Sequence, residues 1–278
     1  MNKLSVLLLI AAGALFAQDA DKVTVPLHDP SRPARIRVHL LMGGIIVRGA
    51  DIKNVVVETH GGSEDPTARV RRNRRETLPA SVDGMKRLDM PGNAGLDITE
   101  DNNLVIIRTG SWTHPGNLTI TVPRKSSLEL KSVANGEIEV EQVDGEIDAE
   151  DLNGRISLKD VSGSVVAHSL NGAVSATVDR LDSSKPSSLS TLNGNIDITL
   201  PDNVRANVRM KSDNGAIYSD FDVKLDPGTH VDENATGQLP NGKYHLRFDR
   251  TLRGTINGGG PDLQLTTFNG QIFIRKRK

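Results

Sequence analysis

Apolar residues in the middle of the chain recur in a fixed frame set by glycine. Asn-Gly, Asp-Gly or Ser-Gly occurs at Gly136, Gly145, Gly154, Gly163 and Gly172, and an apolar residue follows two, four and seven positions after nearly every one. The period is nine residues. Short apolar alternations punctuated by turn glycines predict a stack of small β-strands, in which each unit buries its apolar side only against its neighbours.

Asn-Gly is also the preferred two-residue hairpin turn, so an antiparallel meander is the competing reading. Strand geometry argues against it. Side chains alternate faces, so positions two and four share a face while position seven lies on the other. Ile138, Val140 and Val143 cannot all face one core along a straight strand; nor can Ile147, Ala149 and Leu152, Ile156, Leu158 and Val161, or Val165, Ala167 and Leu170. A corner between positions four and seven would restore the phase. The prediction is therefore an all-β fold, a single-stranded β-solenoid (β-helix) with about 18 residues per rung and N-terminal strands as a cap.

The rung is two repeats long because asparagine precedes glycine at 135, 153 and 171, whereas Asp144 and Ser162 stand in the intervening units. Stacked in that register, the asparagines would form a hydrogen-bonded ladder. Glu137 would meet Arg155, Glu141 would meet Lys159, and Glu150 would meet His168. Burying three apolar side chains yields roughly 5–9 kcal/mol, while ordering nine residues costs roughly 9–18 kcal/mol of backbone entropy, so one unit cannot fold alone. Both ends then need covers, and Arg275-Lys276-Arg277-Lys278 would place charge on the exposed edge at the C-terminal end.

The rest of the chain divides around this block. Residues 1–17 read as a secretory signal peptide: Lys3 supplies the n-region charge, Leu4 to Phe16 is apolar, and Ala14 and Ala17 precede a cut after Ala17. An uncleaved anchor or a buried first strand is the alternative. Residues 18–125 form an N-terminal β region, in which Gly43 followed by Ile45 and Val47 is a degenerate repeat. It carries an insertion at about 59–93, rich in proline and in Arg69, Arg71, Arg72, Arg74 and Arg75. Residues 126–278 form the Asn-Gly repeat region, continuous with the preceding one. Insertions sit at 183–187 and 201–203, and the motif returns as Asn269-Gly270-Gln271-Ile272-Phe273-Ile274.

Composition removes several functions. The sequence has no cysteine, which excludes disulfides, thiolate metal sites and a cysteine nucleophile. A formal charge of −1 and 3% aromatic residues give no basic surplus and few stacking platforms, so nucleic acid is not an expected partner. No segment after the N-terminus is long and apolar enough to predict membrane insertion.

Chemistry-bearing residues are dispersed. Glu137, Glu139, Glu141, Asp144, Glu146, Asp148, Glu150 and Asp151 form the densest acidic stretch. Outward carboxylates two apart on a strand lie roughly 6.5–7 Å apart, a spacing compatible with an inverting glycosidase. The competing reading is a solvated strand face opposite Arg155, Lys159 and His168. A calcium-binding β-roll would need further glycine and aspartate positions, where this repeat has Ile or Val. The histidines His28, His39, His60, His114, His168, His230 and His245 show no metal-ligand spacing. No Gly-x-Ser-x-Gly elbow occurs, and Gly258-Gly259-Gly260 runs into Pro261 and a strand pattern rather than a helix. The Arg69–Arg75 cluster could meet an anionic glycan or headgroup. No catalytic, cofactor-binding or metal-binding residue is assigned.

The opening Gly43-Gly44-Ile45-Ile46-Val47, the triplets Leu152-Asn153-Gly154, Leu170-Asn171-Gly172 and Leu192-Asn193-Gly194, and the closing Asn269-Gly270-Gln271-Ile272-Phe273-Ile274 together resemble a bacterial family of exported β-strand-repeat adhesin candidates of unknown function. The resemblance implies a β-helical fold and a cell-envelope setting, in the periplasm or at the cell surface. The expectation is a non-catalytic structural or interaction module with an envelope protein or glycan as partner. A carbohydrate-active β-helix enzyme and an envelope ligand-sensing module are the alternatives.

Overall fold

A computed structural model describes residues 22–61, 96–109, 116–134, 136–226 and 251–278. The signal segment, the Arg69–Arg75 cluster, Asn135, His114, His230 and His245 lie outside the described residues. Those that are described form strands and turns without a helix.

The chain alternates between two sheets. Through its middle, β8 (Ser126–Ala134), β10 (Ile147–Asp151), β12 (Val165–Ser169) and β14 (Ser187–Asn193) lie side by side in one sheet. In the other lie β9 (Ile138–Glu141), β11 (Ile156–Gly163), β13 (Val174–Leu181) and β15 (Ile196–Leu200). Every one of these neighbouring pairs is parallel. Ile138 stands beside Ile156 and Ile156 beside Val174, while Ile147 stands beside Val165. Those partners are eighteen positions apart. At the next coil the offset widens, with Val174 beside Ile196, because the 183–187 insertion is absorbed between strands. The antiparallel meander is thereby excluded.

The inner faces fill the space between the sheets. β10 and β12 alternate buried and exposed residues without a break, and Ile138, Val140, Ile147, Ile156, Val165, Ile196, Ile198, Leu265 and Ile272 belong to one continuous core. No unit owns a core of its own, which is why the stack must form cooperatively.

Two kinds of corner connect the sheets, and here the structure corrects the sequence reading. At the Asp-Gly and Ser-Gly units, Gln142 (φ 57°) and Asp160 (φ 51°) adopt the left-handed conformation. That turn re-phases the chain, so Val143 and Val161 point into the core as expected. At the Asn-Gly units the strand runs straight on. Asp151 and Ser169 continue the inward alternation, so Leu152 turns outward with 42% exposure and Leu170 is only half-buried. Position seven is therefore core in one half of each coil and surface in the other.

Spatial order also departs from chain order at both ends. β2 (Ala34–Met42) and β3 (Ile45–Ala50) stack on β8 and β9. The later strands β6 (Leu104–Thr109) and β7 (Gly116–Pro123) stack outside them. Antiparallel β1 (Lys22–Pro26) and β4 (Asn54–Gly61) end one sheet there, and antiparallel β5 (Leu96–Asp101) ends the other. At the far end, β20 (Asp262–Asn269) and β21 (Ile272–Lys276) are inserted between β14 and β15 on one side and β16 (Ala206–Asn214) and β17 (Ile217–Ser219) on the other. β18 (Val223–Leu225) and β19 (Leu252–Ile256) complete that end in antiparallel pairing.

The C-terminal basic run consequently does not guard an edge. Arg275 pairs with Asp197 at 2.9 Å, Lys276 with Asp202 at 2.8 Å, and Arg277 bridges Asp160 and Asp179. The final strand is held as an interior member of its sheet.

Candidate functional site

The Asn-Gly corners stack into a continuous seam. Asn171 Nδ2 donates to Asn153 Oδ1 at 3.0 Å, Asn193 to Asn171 at 2.8 Å, Asn269 to Asn193 at 2.7 Å, and Asn214 to Asn269 at 2.9 Å. The expected ladder at 153 and 171 is present, and it extends through Asn193, Asn269 and Asn214. All five side chains are exposed.

Beneath the amides runs a second, buried row. Ser169 Oγ donates to Gly154 O at 2.9 Å, Thr191 Oγ1 to Gly172 O at 2.8 Å, Thr267 Oγ1 to Gly194 O at 2.9 Å, and Ser212 Oγ to Gly270 O at 2.8 Å. The hydroxyl lies three positions before its own glycine and reaches the glycine carbonyl of the adjacent coil. The glycines are required by this closeness: a β-carbon on Gly172 would lie 1.9 Å from Gly154 O. A Ser/Thr-x-Asn-Gly pattern was readable in the sequence, but an apolar-residue search passes over it.

Asp151 takes the hydroxyl position in its coil. It is 1% exposed. Its Oδ1 accepts from Asn153 N at 2.9 Å and Gly154 N at 2.6 Å, while Oδ2 is buried without a hydrogen-bond partner. Burial pushes the carboxyl up to about 6, against the lowering effect of those two backbone N–H groups, and the charge of Glu137 adds a little to the rise. The corresponding hydroxyl one coil on is a donor. Asp151 Oδ2 and Gly136 O both border the place a Gly154 β-carbon would take, at 2.7 and 1.7 Å; a protonated Asp151 can offer a donor on that side, and an ionised one cannot.

The other acidic residues of the stretch are spread over both sheets and are mostly paired. Lys159 Nζ bonds Glu139 and, at 3.1 Å, Glu141, while Arg48 also reaches Glu141. Asp144 pairs with Arg180, Glu146 with Lys185 at 2.8 Å, and Glu150 with Lys131 at 3.0 Å. The Glu141–Lys159 expectation holds. Glu150 and His168 are register partners, yet His168 Nδ1 lies 2.8 Å from Ser190 Oγ instead. Asp148 has its pKa raised, by burial first and then by Glu129 and Glu150 outweighing part of the help from Lys131. The outward carboxylates two apart on one strand are Glu139 with Glu141, which share Lys159, and Asp148 with Glu150, of which Glu150 pairs with Lys131. Among the described residues, no three His, Cys, Asp or Glu side chains gather in a way that could hold a metal ion. Gly258 and Gly259 form a left-handed turn whose Gly259 carbonyl accepts from Arg205.

The seam separates two surface features. On one flank, the residues preceding the asparagines form an outward apolar ridge of Leu152, Leu170, Leu192 and Phe268, with Phe268 46% exposed. On the other lies an open groove of about 580 Å³ spanning five coils, bounded by Asn153, Asn171, Glu137, Glu139, Arg155 and Asn117. The sequence reading missed both, having placed Leu152 and Leu170 in the core. It also missed the stacking of Tyr218 on Phe273, with ring centroids 5.3 Å apart and Arg275 over Phe273, since the two rings are far apart in the chain.

A family model describing Toastrack DUF4097 matches residues 113–257. The chain belongs to this family. The Toastrack match covers the seam from Gly136 to Gly215 and leaves the inserted final coil outside. No curated protein matches the chain in sequence. Two crystal structures are similar to it: a candidate cell adhesion protein from Clostridium sporogenes, at 10% identity over 92% of this chain and 99% of that one with a TM-score of 0.43; and a candidate adhesin from Bacteroides fragilis, at 10% identity over 92% and 96% with a TM-score of 0.31.

Proposed function

We propose that this Toastrack protein is a non-catalytic interaction module of the cell envelope, exported by its N-terminal segment, with the Asn-Gly seam as its binding face. The observation that carries the reading is the apolar ridge beside the amide ladder. An outward position on a strand stack is ordinarily polar, and a contiguous exposed apolar strip is a feature of interaction surfaces. Repetition builds it: each added coil contributes one more copy of the same side-chain set, as in other stacked-repeat binding surfaces. Antiparallel strands close three of the four sheet ends and the three-residue parallel β17 ends the fourth, short or reversed edges that disfavour joining another copy edge to edge.

Export is supported by the charge, apolar run and small residues of positions 1–17. The carbohydrate-active alternative needs two carboxylates free to act across one bond, whereas Glu139 and Glu141 share Lys159, and Glu150, the strand neighbour of Asp148, pairs with Lys131. Purified mature protein should sediment with isolated cell envelopes in a saturable manner and release no new reducing ends from them. Release of reducing ends that disappears in Glu139→Gln or Asp148→Asn would overturn the proposal in favour of an enzyme.

A further inference from the structure

We infer that the seam binds a neutral, extended glycan lying along the stack, each sugar engaging one coil's asparagine amide and the neighbouring ridge side chain. This rests on the reading of the seam as a binding face and names its ligand class.

The amides set the chemistry. Asn171, Asn193 and Asn269 each use one N–H and one carbonyl lone pair in the ladder. Each amide therefore retains one donor and one acceptor at the surface. A donor and an acceptor side by side match a hydroxyl group, which needs both, rather than a phosphate or an ammonium group, which needs only one kind. The row repeats at the strand spacing of about 4.8 Å, close to the length of one pyranose unit in an extended β-linked chain. A linear polymer can thus keep register over several coils.

The two flanks complete the fit. The ridge of Leu152, Leu170, Leu192 and Phe268 offers an apolar strip to the C–H face of a sugar ring. The groove on the other side runs beside Asn153 and Asn171, open and mixed in charge, lined by Glu137, Glu139 and Arg155. A polyanion would meet two carboxylates there. An extended peptide needs unpaired backbone groups to add as a strand, but the corner backbone is already bonded from coil to coil: Leu170 N to Asp151 O, Asn171 N to Leu152 O, and Asn193 N to Leu170 O.

The test is isothermal titration of the purified mature protein with cellohexaose and chitohexaose, with the corresponding disaccharides as length controls and polygalacturonate as the acidic control. A neutral hexasaccharide is expected to bind, the disaccharides at least tenfold more weakly, and the acidic polymer not at all. Asn171→Ala combined with Asn193→Ala should weaken hexasaccharide binding at least tenfold. Leu192→Ser removes an exposed side chain and keeps the fold intact; it should weaken binding several-fold. No heat with either hexasaccharide, equal affinity for the disaccharides, preference for the acidic polymer, or binding unaffected by Leu192→Ser would overturn the inference. If the protein still sediments with envelopes in those cases, the interaction-module reading stands and only the ligand class is wrong.

Discussion

Replacing Asp151 with asparagine is predicted to stabilise the protein at neutral pH and to change its stability little near pH 4. In the folded protein, burial raises the Asp151 carboxyl to about 6 from an ordinary value of 3.8, so the fold favours the protonated form. The stabilisation from that proton is complete below the unfolded value and is lost as pH rises through the folded value. Two units of difference correspond to about 3 kcal/mol, all of it lost by about pH 7.5. Asparagine reproduces the protonated acid. Its Oδ1 accepts from Asn153 N and Gly154 N as the carboxylate does, and its Nδ2 donates toward Gly136 O, as the Ser169 hydroxyl does to Gly154 O. Glu137, whose charge also acts on Asp151, is common to both proteins. Urea denaturation of the two side by side should show a difference of about 0.5 kcal/mol at about pH 4 and an advantage of about 2–3 kcal/mol for Asp151→Asn at about pH 7.5. A constant difference across that range, or a less stable variant at the higher pH, would refute the reasoning.

Other consequences follow from the same seam. Gly172→Ala should cost more than about 3 kcal/mol or prevent folding, because the new β-carbon meets the Gly154 carbonyl at 1.9 Å. Gly258→Ala should cost only about 1–2 kcal/mol of left-handed backbone strain, since space there is open to 3.9 Å; denaturation curves of the two compare packing with strain directly. A double-mutant cycle on Asn171→Ala and Asn193→Ala should give a coupling of about 0.5–1.5 kcal/mol for their shared hydrogen bond, and zero coupling would remove the ladder from the account.

The stacked-strand class, the parallel register and the asparagine ladder were legible because all three follow from one periodicity. Ile138, Ile147, Ile156 and Val165 occupy the core as their spacing required. Leu152 and Leu170 misled, since the same nine-residue spacing runs through two unlike corners and only Gln142 and Asp160 take the left-handed turn that brings the next residue inside. The insertion of the last coil was hidden for a different reason: Asn269-Gly270 fits the seam equally well at any stacking position, and tertiary packing chose the gap between Asn193 and Asn214. Asp151 read as one more surface carboxylate in an acidic run, although serine or threonine three positions before Gly172, Gly194, Gly215 and Gly270 pointed to a buried hydrogen-bonding row.

The seam is built from coils in register, with the chain's last coil threaded into it, and a sequence without cysteine makes a cross-linking test clean. Thr199 and Arg275 are facing partners on adjacent strands, so cysteines at those two positions should form a disulfide under mild oxidation. Cysteines at Thr199 and Asp220 should not, because β21 lies between β15 and the end of β17, which Asp220 follows, and holds them about 10 Å apart, beyond disulfide reach. Cross-linking of Thr199 to Asp220 but not to Arg275 would show coils stacked in simple chain order and would contradict the account.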